Sequence, residues 1–159
     1  MRLWPFAMVL LAACSPGAGE PSAAVSQAGG AVSHPESGLE VIPLTVTYGG
    51  KVRHFRVEVA RTHAEQAKGL MFRTAMGPDE GMLFPFDPPR PASFWMKNTV
   101  IPLDIVFIGP DGLVSNIAAD ATPYSLDSIP SAGAAAAVLE INGGRAAELG
   151  IVPGARVKW

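Results

Sequence analysis

Two apolar runs open the regular part of the chain. VIPLTVTY, from Val41 to Tyr48, and VRHFRVEVA, from Val52 to Ala60, are rich in β-branched residues and are separated by Gly49-Gly50. Runs of this kind around a short glycine turn predict a β-hairpin. In the second run Phe55, Val57 and Val59 alternate with His54, Arg56 and Glu58, so the odd positions face a core and His54 faces water. Thr62-His63-Ala64-Glu65 then matches a capping box, in which a hydroxyl and a carboxylate each accept a free N–H at a helix start. Gly69 stands where a residue of positive φ ends that helix, and His63 falls in its exposed first turn.

Beyond Gly69 the periodicity breaks. GLMFR, the turn from Gly77 to Gly81, and MLFPF with prolines at 85, 88, 89 and 91 predict an irregular hydrophobic loop region without a long strand, because proline cannot donate to a ladder. FWMKNTVIPLDIVFIG, from Phe94 to Gly109, reads as one or two strands interrupted at Pro102. Gly109-Pro110-Asp111-Gly112 turns it back into LVSNIA as a second hairpin. Asp120 to Ala137 holds mostly small residues and prolines and predicts a long surface connection. Ala137 to Ile141 reads as a core strand, NGGRAAELG as a short helix closed by Gly150, and RVKW as a last strand. Together these elements predict a mainly β fold, a small antiparallel sandwich or barrel of jelly-roll type with one or two short helices.

Composition narrows the setting. A chain of 159 residues, 48% hydrophobic and 16% charged, suits one compact domain. A net charge of −2 without a Lys/Arg cluster argues against a nucleic-acid partner. At the start, MRLWPFAMVLLAAC combines Arg2, an apolar run from Leu3 to Leu11 and small residues before Cys14, and resembles the signal and lipobox of bacterial lipoproteins. Residues 1–13 are then a cleaved signal, Cys14 is the acylated first mature residue, and residues 14–38 are a Gly/Ala/Ser/Pro tether in which His34 is solvated. Residues 39–159 form the single mostly-β domain. Ser15 resembles the outer-membrane sorting choice, so the domain is expected to be exported, anchored by lipid to the outer membrane and facing the periplasm. Cys14 is the only cysteine, which leaves no disulfide framework within the chain.

Three blocks, GLMFR (Gly69 to Arg73), GML-F (Gly81 to Phe84) and FWMKNT-IPLDI-F (Phe94 to Phe107), resemble the family called domain of unknown function 192. VLEINGG and LGIVPGARV are similar to it as well, although Ala155 stands where the family often has an acidic residue. The resemblance implies a mostly β, jelly-roll-like or barrel-like domain that is often exported. It brings no reaction, ligand or catalytic residue.

Candidate chemistry therefore rests on the residues themselves. Lys97, Asn98 and Asp104 interrupt an apolar stretch, and Glu140 sits between Leu139 and Ile141. A carboxylate isolated in an apolar interior costs several kcal/mol, so Asp104 must find partners. It either accepts backbone N–H groups at the Pro102 bend or pairs with Lys97 or Arg73. The functional alternative is a polar cleft of Arg73, Trp95, Lys97, Asn98, Asp104 and Glu140 that binds a small polar ligand, such as a glycan fragment or an anionic group. The expectation is a satisfied knot of Lys97, Asn98 and Asp104 with any pocket beside it, in a non-catalytic ligand-binding or envelope-assembly module without a cofactor. Two rivals remain. Asp104 and Glu140 could serve as acid and base in a hydrolase acting on an envelope polymer. Met71, Met82 and Met96 beside Trp95 could hold Cu(I), although methionine and phenylalanine more simply fill an irregular core. No Cys or His spacing suits zinc, no metal site is expected otherwise, and no Gly-x-Ser-x-Gly motif is present.

Overall fold

The computed structural model describes residues 32–159. The expected signal at residues 1–13, the acylated Cys14 and the tether as far as residue 31 lie outside the described residues. Eight strands form one sheet: β1 Val32–Ser33, β2 Glu40–Tyr48, β3 Lys51–Val59, β4 Glu80–Phe94, β5 Leu103–Ile108, β6 Val114–Ala121, β7 Ile129–Asn142 and β8 Arg156–Lys158. Two short helices complete it, α1 His63–Lys68 and α2 Arg145–Leu149. The strand order is β1-β2-β3-β4-β7-β5-β6, with β8 paired to β2. Only β3 and β4 run parallel; the other pairs are antiparallel.

The fold is mainly β, as expected. The sheet curls without closing into a barrel. An isolated bridge between Leu113 and Arg156, with bonds from Val114 N–H to the Ala155 carbonyl and from Val157 N–H to the Gly112 carbonyl, brings its two ends together.

The curl creates two cores on opposite faces. Leu83 of β4, Val106 and Ile108 of β5, and Leu139 and Ile141 of β7 enter a first core with Leu44, Phe55, Val57 and Val157. Met82, Phe84 and Phe86 of β4, Leu103, Ile105 and Phe107 of β5, and Val138 of β7 enter a second core with Leu70 and Met96. Strands buried on both faces lose the apolar–polar alternation, which is why LDIVFI is apolar nearly throughout.

The first hairpin and its core parity are as read from the sequence: β2 pairs with β3, Phe55, Val57 and Val59 are buried, and His54 is exposed. The capping box is also present, with Glu65 N–H bound by Thr62 Oγ1 at 3.2 Å and Glu65 Oε2 accepting Thr62 N–H at 2.8 Å. Gly69 closes α1 at φ 47°.

Two long elements correct the expectation. The proline-rich segment is a 15-residue strand, and most of the expected surface connection belongs to the 14-residue β7 that pairs with it. The prolines are tolerated because β3 covers only residues 80–83 of β4, leaving an edge beyond. The β4–β7 register also shifts between Pro85 and Arg90, where no ladder N–H is needed. Across from this bulged stretch, Ala135 and Ala137 are wholly buried, so the small residues that suggested a loop are those that fit a close ladder.

The tether expectation is corrected at its end. β1 pairs with β2, the Glu36 carboxylate lies 3.1 Å from Arg73 Nε, and His34 lies 3.7 Å from Glu58 instead of standing free in solvent. Residues 32–38 are thus clasped onto the domain.

β4 and β7 approach closely at Gly81, where a Cβ would lie 2.5 Å from the Glu140 carbonyl oxygen and 3.1 Å from Ile141 Cγ2. Gly81→Ala should therefore lower the unfolding free energy by about 2 kcal/mol or more in urea denaturation. An unchanged midpoint would contradict the tight β4–β7 contact.

Candidate functional site

Register in the centre of the sheet fixes the position of Glu140. It lies opposite Met82 of β4 on one side and Ile105 of β5 on the other, so it projects with Val138 toward the second core. Glu140 is 5% exposed. Burial alone pushes its carboxyl up from 4.5 to about 8, with no hydrogen bond or neighbouring cation to offset it. Among the described residues no side-chain nitrogen or oxygen is both sealed from solvent and unpartnered. The unpartnered Glu140 carboxyl therefore opens onto space, at a cleft of about 350 Å³.

Phe84, Phe86, Phe94 and Trp95 line this cleft together with buried Thr99. Phe84 and Phe94 meet edge to face with ring centroids 5.1 Å apart, and Phe94 meets Phe107 likewise at 6.1 Å. Lys68 and His63 of α1, Arg90 of β4 and Lys97 supply the remaining ionisable lining. Arg90 stacks 4.2 Å over the Phe86 ring, and Lys97 Nζ lies 5.1 Å from the Trp95 ring.

Loops beside the cleft are held against one another by backbone bonds. Phe72 N–H donates to the Asn98 carbonyl at 2.8 Å, Met96 N–H to Ser125 at 2.9 Å and Tyr124 N–H to Thr99 at 3.2 Å. Phe72, Asn98 and Tyr124 have φ of 65°, 54° and 63°, a conformation unusual for side chains larger than glycine. Phe72 and Tyr124 are also 66% and 60% exposed, so burial of their rings does not offset the strain.

The expected site residues separate into three places. Trp95, Lys97 and Glu140 share the cleft. Asn98, between lining residues Lys97 and Thr99, instead donates its amide to Met71 Sδ at 3.8 Å. Arg73 is buried elsewhere, with its guanidinium bidentate on Glu58 at 3.0 and 3.1 Å and also bound to Glu36. Ser37 adds a hydroxyl to the same Glu58 carboxylate.

Asp104 takes the backbone option, although not at the Pro102 bend itself. Its Oδ1 accepts Asp120 N–H at 2.8 Å and Gly144 N–H at 2.9 Å, and its Oδ2 accepts Ala146 N–H at 2.7 Å. These bonds fasten the start of α2 to β5, because Gly144 has no side chain with which to cap that helix. The expected knot of Lys97, Asn98 and Asp104 is therefore not formed: Lys97 is exposed and Asp104 is satisfied by main chain.

The acid–base pairing also fails on geometry. Asp104 shares the face of Val106 and the first core, whereas Glu140 shares the face of Val138 and the second, so the sheet separates the two carboxyls. Copper binding by the three methionines would need Met82 and Met96, exposed by 1% and 0%, to turn out of the second core. Sequence reading missed His63, Lys68, Arg90 and Thr99 as lining residues. Only Arg90, a lone cation in a proline-rich apolar run, carried a local signal. A second cavity of about 510 Å³ lies between Arg53 and Leu149, and there Arg53 Nε is already bound to the Leu149 carbonyl.

A family model described as DUF192, uncharacterised ACR, matches residues 44–159. The chain belongs to the DUF192 family. The crystal structure of a protein of unknown function from Novosphingobium aromaticivorans is 58% identical to this DUF192 chain, covers 83% of it and 94% of its own length, and superposes with a TM-score of 0.80. A Sinorhizobium meliloti crystal structure, provisionally described as a transcription regulator, is 39% identical, covers 81% of this chain and 97% of its own, and gives a TM-score of 0.74. No curated protein matches the chain.

Two predictions separate the roles of the buried carboxyls in this DUF192 domain. Asp104→Ala leaves three N–H groups without their acceptor and should cost about 3 kcal/mol or more in urea denaturation, whereas Asp104→Asn keeps one accepting oxygen and should cost about half as much. Equal losses would contradict the backbone-anchoring role.

Glu140 should make stability fall as pH rises. Below the unfolded value of 4.5 both states hold the proton; between 4.5 and about 8 only the folded chain keeps it, and above that range the full cost is present. Glu140→Gln should accordingly gain on the wild type from pH 5 to pH 8, by on the order of 3 kcal/mol, in denaturation at the two pH values. Parallel pH curves would refute the buried titration.

Proposed function

We propose that this DUF192 protein is an exported lipoprotein, anchored in the outer membrane with its domain toward the periplasm, that binds a small molecule in the cleft at Glu140 without transforming it. The observation that carries this reading is the Glu140 carboxyl itself, buried, without a partner among the described residues and open to an aromatic cleft. Folding does not require it. An apolar side chain between Met82 and Ile105 would avoid the desolvation cost, and a residue that costs stability at a cleft is characteristic of a ligand site.

The cleft volume falls in the ordinary range for small-molecule sites, and its aromatic lining with few polar groups has the usual chemistry of one. Strained loops at Phe72, Asn98 and Tyr124 add to the same case, since positive φ at large side chains concentrates where binding is arranged. Hydrolysis is less well supported because a catalytic carboxyl pair must flank one bond, and Asp104 lies across the sheet from Glu140. Export and anchoring rest on Arg2, the apolar run to Leu11 and the Leu-Ala-Ala-Cys sequence ending at Cys14.

A fragment library screened against the full chain by amide-resolved NMR tests the cleft. Binders should move the signals of Met71, Trp95 and Thr99; binding confined to the Arg53–Leu149 cavity, or none at all, defeats the proposal. Labelled palmitate should be incorporated in cells and lost in Cys14→Ala, and label retained by that variant would remove the anchor at Cys14.

A further inference from the structure

On the reading that this cleft binds a small molecule, we propose that its ligand is an amphipathic anion. Its flat apolar body would lie against Phe94 and Trp95, its acidic group near Lys68, Arg90 and Lys97, and an uncharged oxygen acceptor at Glu140. The charge distribution argues for an anion. Among the described residues three cations line the cleft, and the sole carboxyl that lines it is Glu140. Met82 and Ile105 face Glu140 from the flanking strands, and the cleft's other titratable groups are His63, Lys68, Arg90 and Lys97. Among the described residues none of these forms an ion pair with Glu140.

A carboxyl in that setting keeps its proton at neutral pH and presents an O–H donor to a ligand. A carbonyl, ether or hydroxyl oxygen satisfies that donor, whereas an anionic group there would have to share an apolar site once the proton is lost. The ligand's charge therefore belongs near the lysines and Arg90, and its neutral acceptor belongs at Glu140. A cationic ligand could ionise Glu140, but it would enter past three like charges.

Two probes that share one methoxycoumarin ring and carry opposite charges test this class by calorimetry on the full chain. They are 7-methoxycoumarin-4-acetate and the (7-methoxycoumarin-4-yl)methyl-trimethylammonium ion. The carboxylate should bind one to one. Its affinity should fall about tenfold from pH 7 to pH 9 in the wild type, as a group titrating near 8 loses its proton. That fall should be absent in Glu140→Gln. Lys97→Glu, at an exposed position that leaves folding intact, should weaken the carboxylate by about threefold or more and strengthen the ammonium probe. Tighter binding of the ammonium ion, or carboxylate affinity that rises with pH, overturns the anion class while the cleft still binds. Binding of neither probe at millimolar concentration also overturns the class, whereas the cleft reading itself falls only if the fragment screen fails.

Discussion

The pairing of β7 with β4 on one edge and β5 on the other is the interaction on which the rest of the structure depends. It places three strands side by side with both faces covered, and so divides the interior into two cores. Each inward position on these strands must be apolar, backbone-satisfied or functional, because water reaches few of them. Gly81 marks how closely the ladder is drawn together, with room for no side chain against the Glu140 carbonyl.

The two carboxyls on this frame show how one residue parity decides chemistry. Asp104 and Glu140 stand on neighbouring strands, and Ile105, the next residue, is the register partner of Glu140. One step along the strand turns Asp104 to the opposite face, where the turn into α2 offers N–H groups to both of its oxygens. On the other face Glu140 meets methionine, isoleucine and phenylalanine and finds no donor among the described residues. The first carboxyl holds the fold together, and the second weakens it in return for a polar group within an aromatic cleft.

A third charged cluster ties the chain entry to the domain. Arg73 and Glu58 form a buried bidentate pair, which Glu36, Ser37 and His34 cover from the segment before β2. Removing either member of such a pair leaves its partner buried and uncompensated, so the clasp and the start of the fold are linked. This network is separate from the cleft, although Arg73 and Lys97 are close to the same loops in sequence.

Much of the fold was legible because its signals are local. The alternation in β3, the capping box at Thr62, the turn at Gly109 and the short helix before Gly150 each depend on residues within a few positions of one another. β4 and the first half of β7 were not legible, since prolines and alanines there form strands only by pairing with each other across some 40 intervening residues. The candidate residues followed the same division. That Asp104 and Glu140 interrupt buried strands could be read from their apolar neighbours. Which face each occupies relative to the other, and that Arg73 seeks Glu58 while Lys97 remains at an aromatic cleft, depended on register and sheet curl. Sequence by itself determined the family, the β character and the presence of ionisable groups in apolar strands, because these follow from short-range pattern. Tertiary structure alone decided which of those groups is satisfied and which is left open, because hydrogen-bond partners are supplied by chain segments remote in sequence.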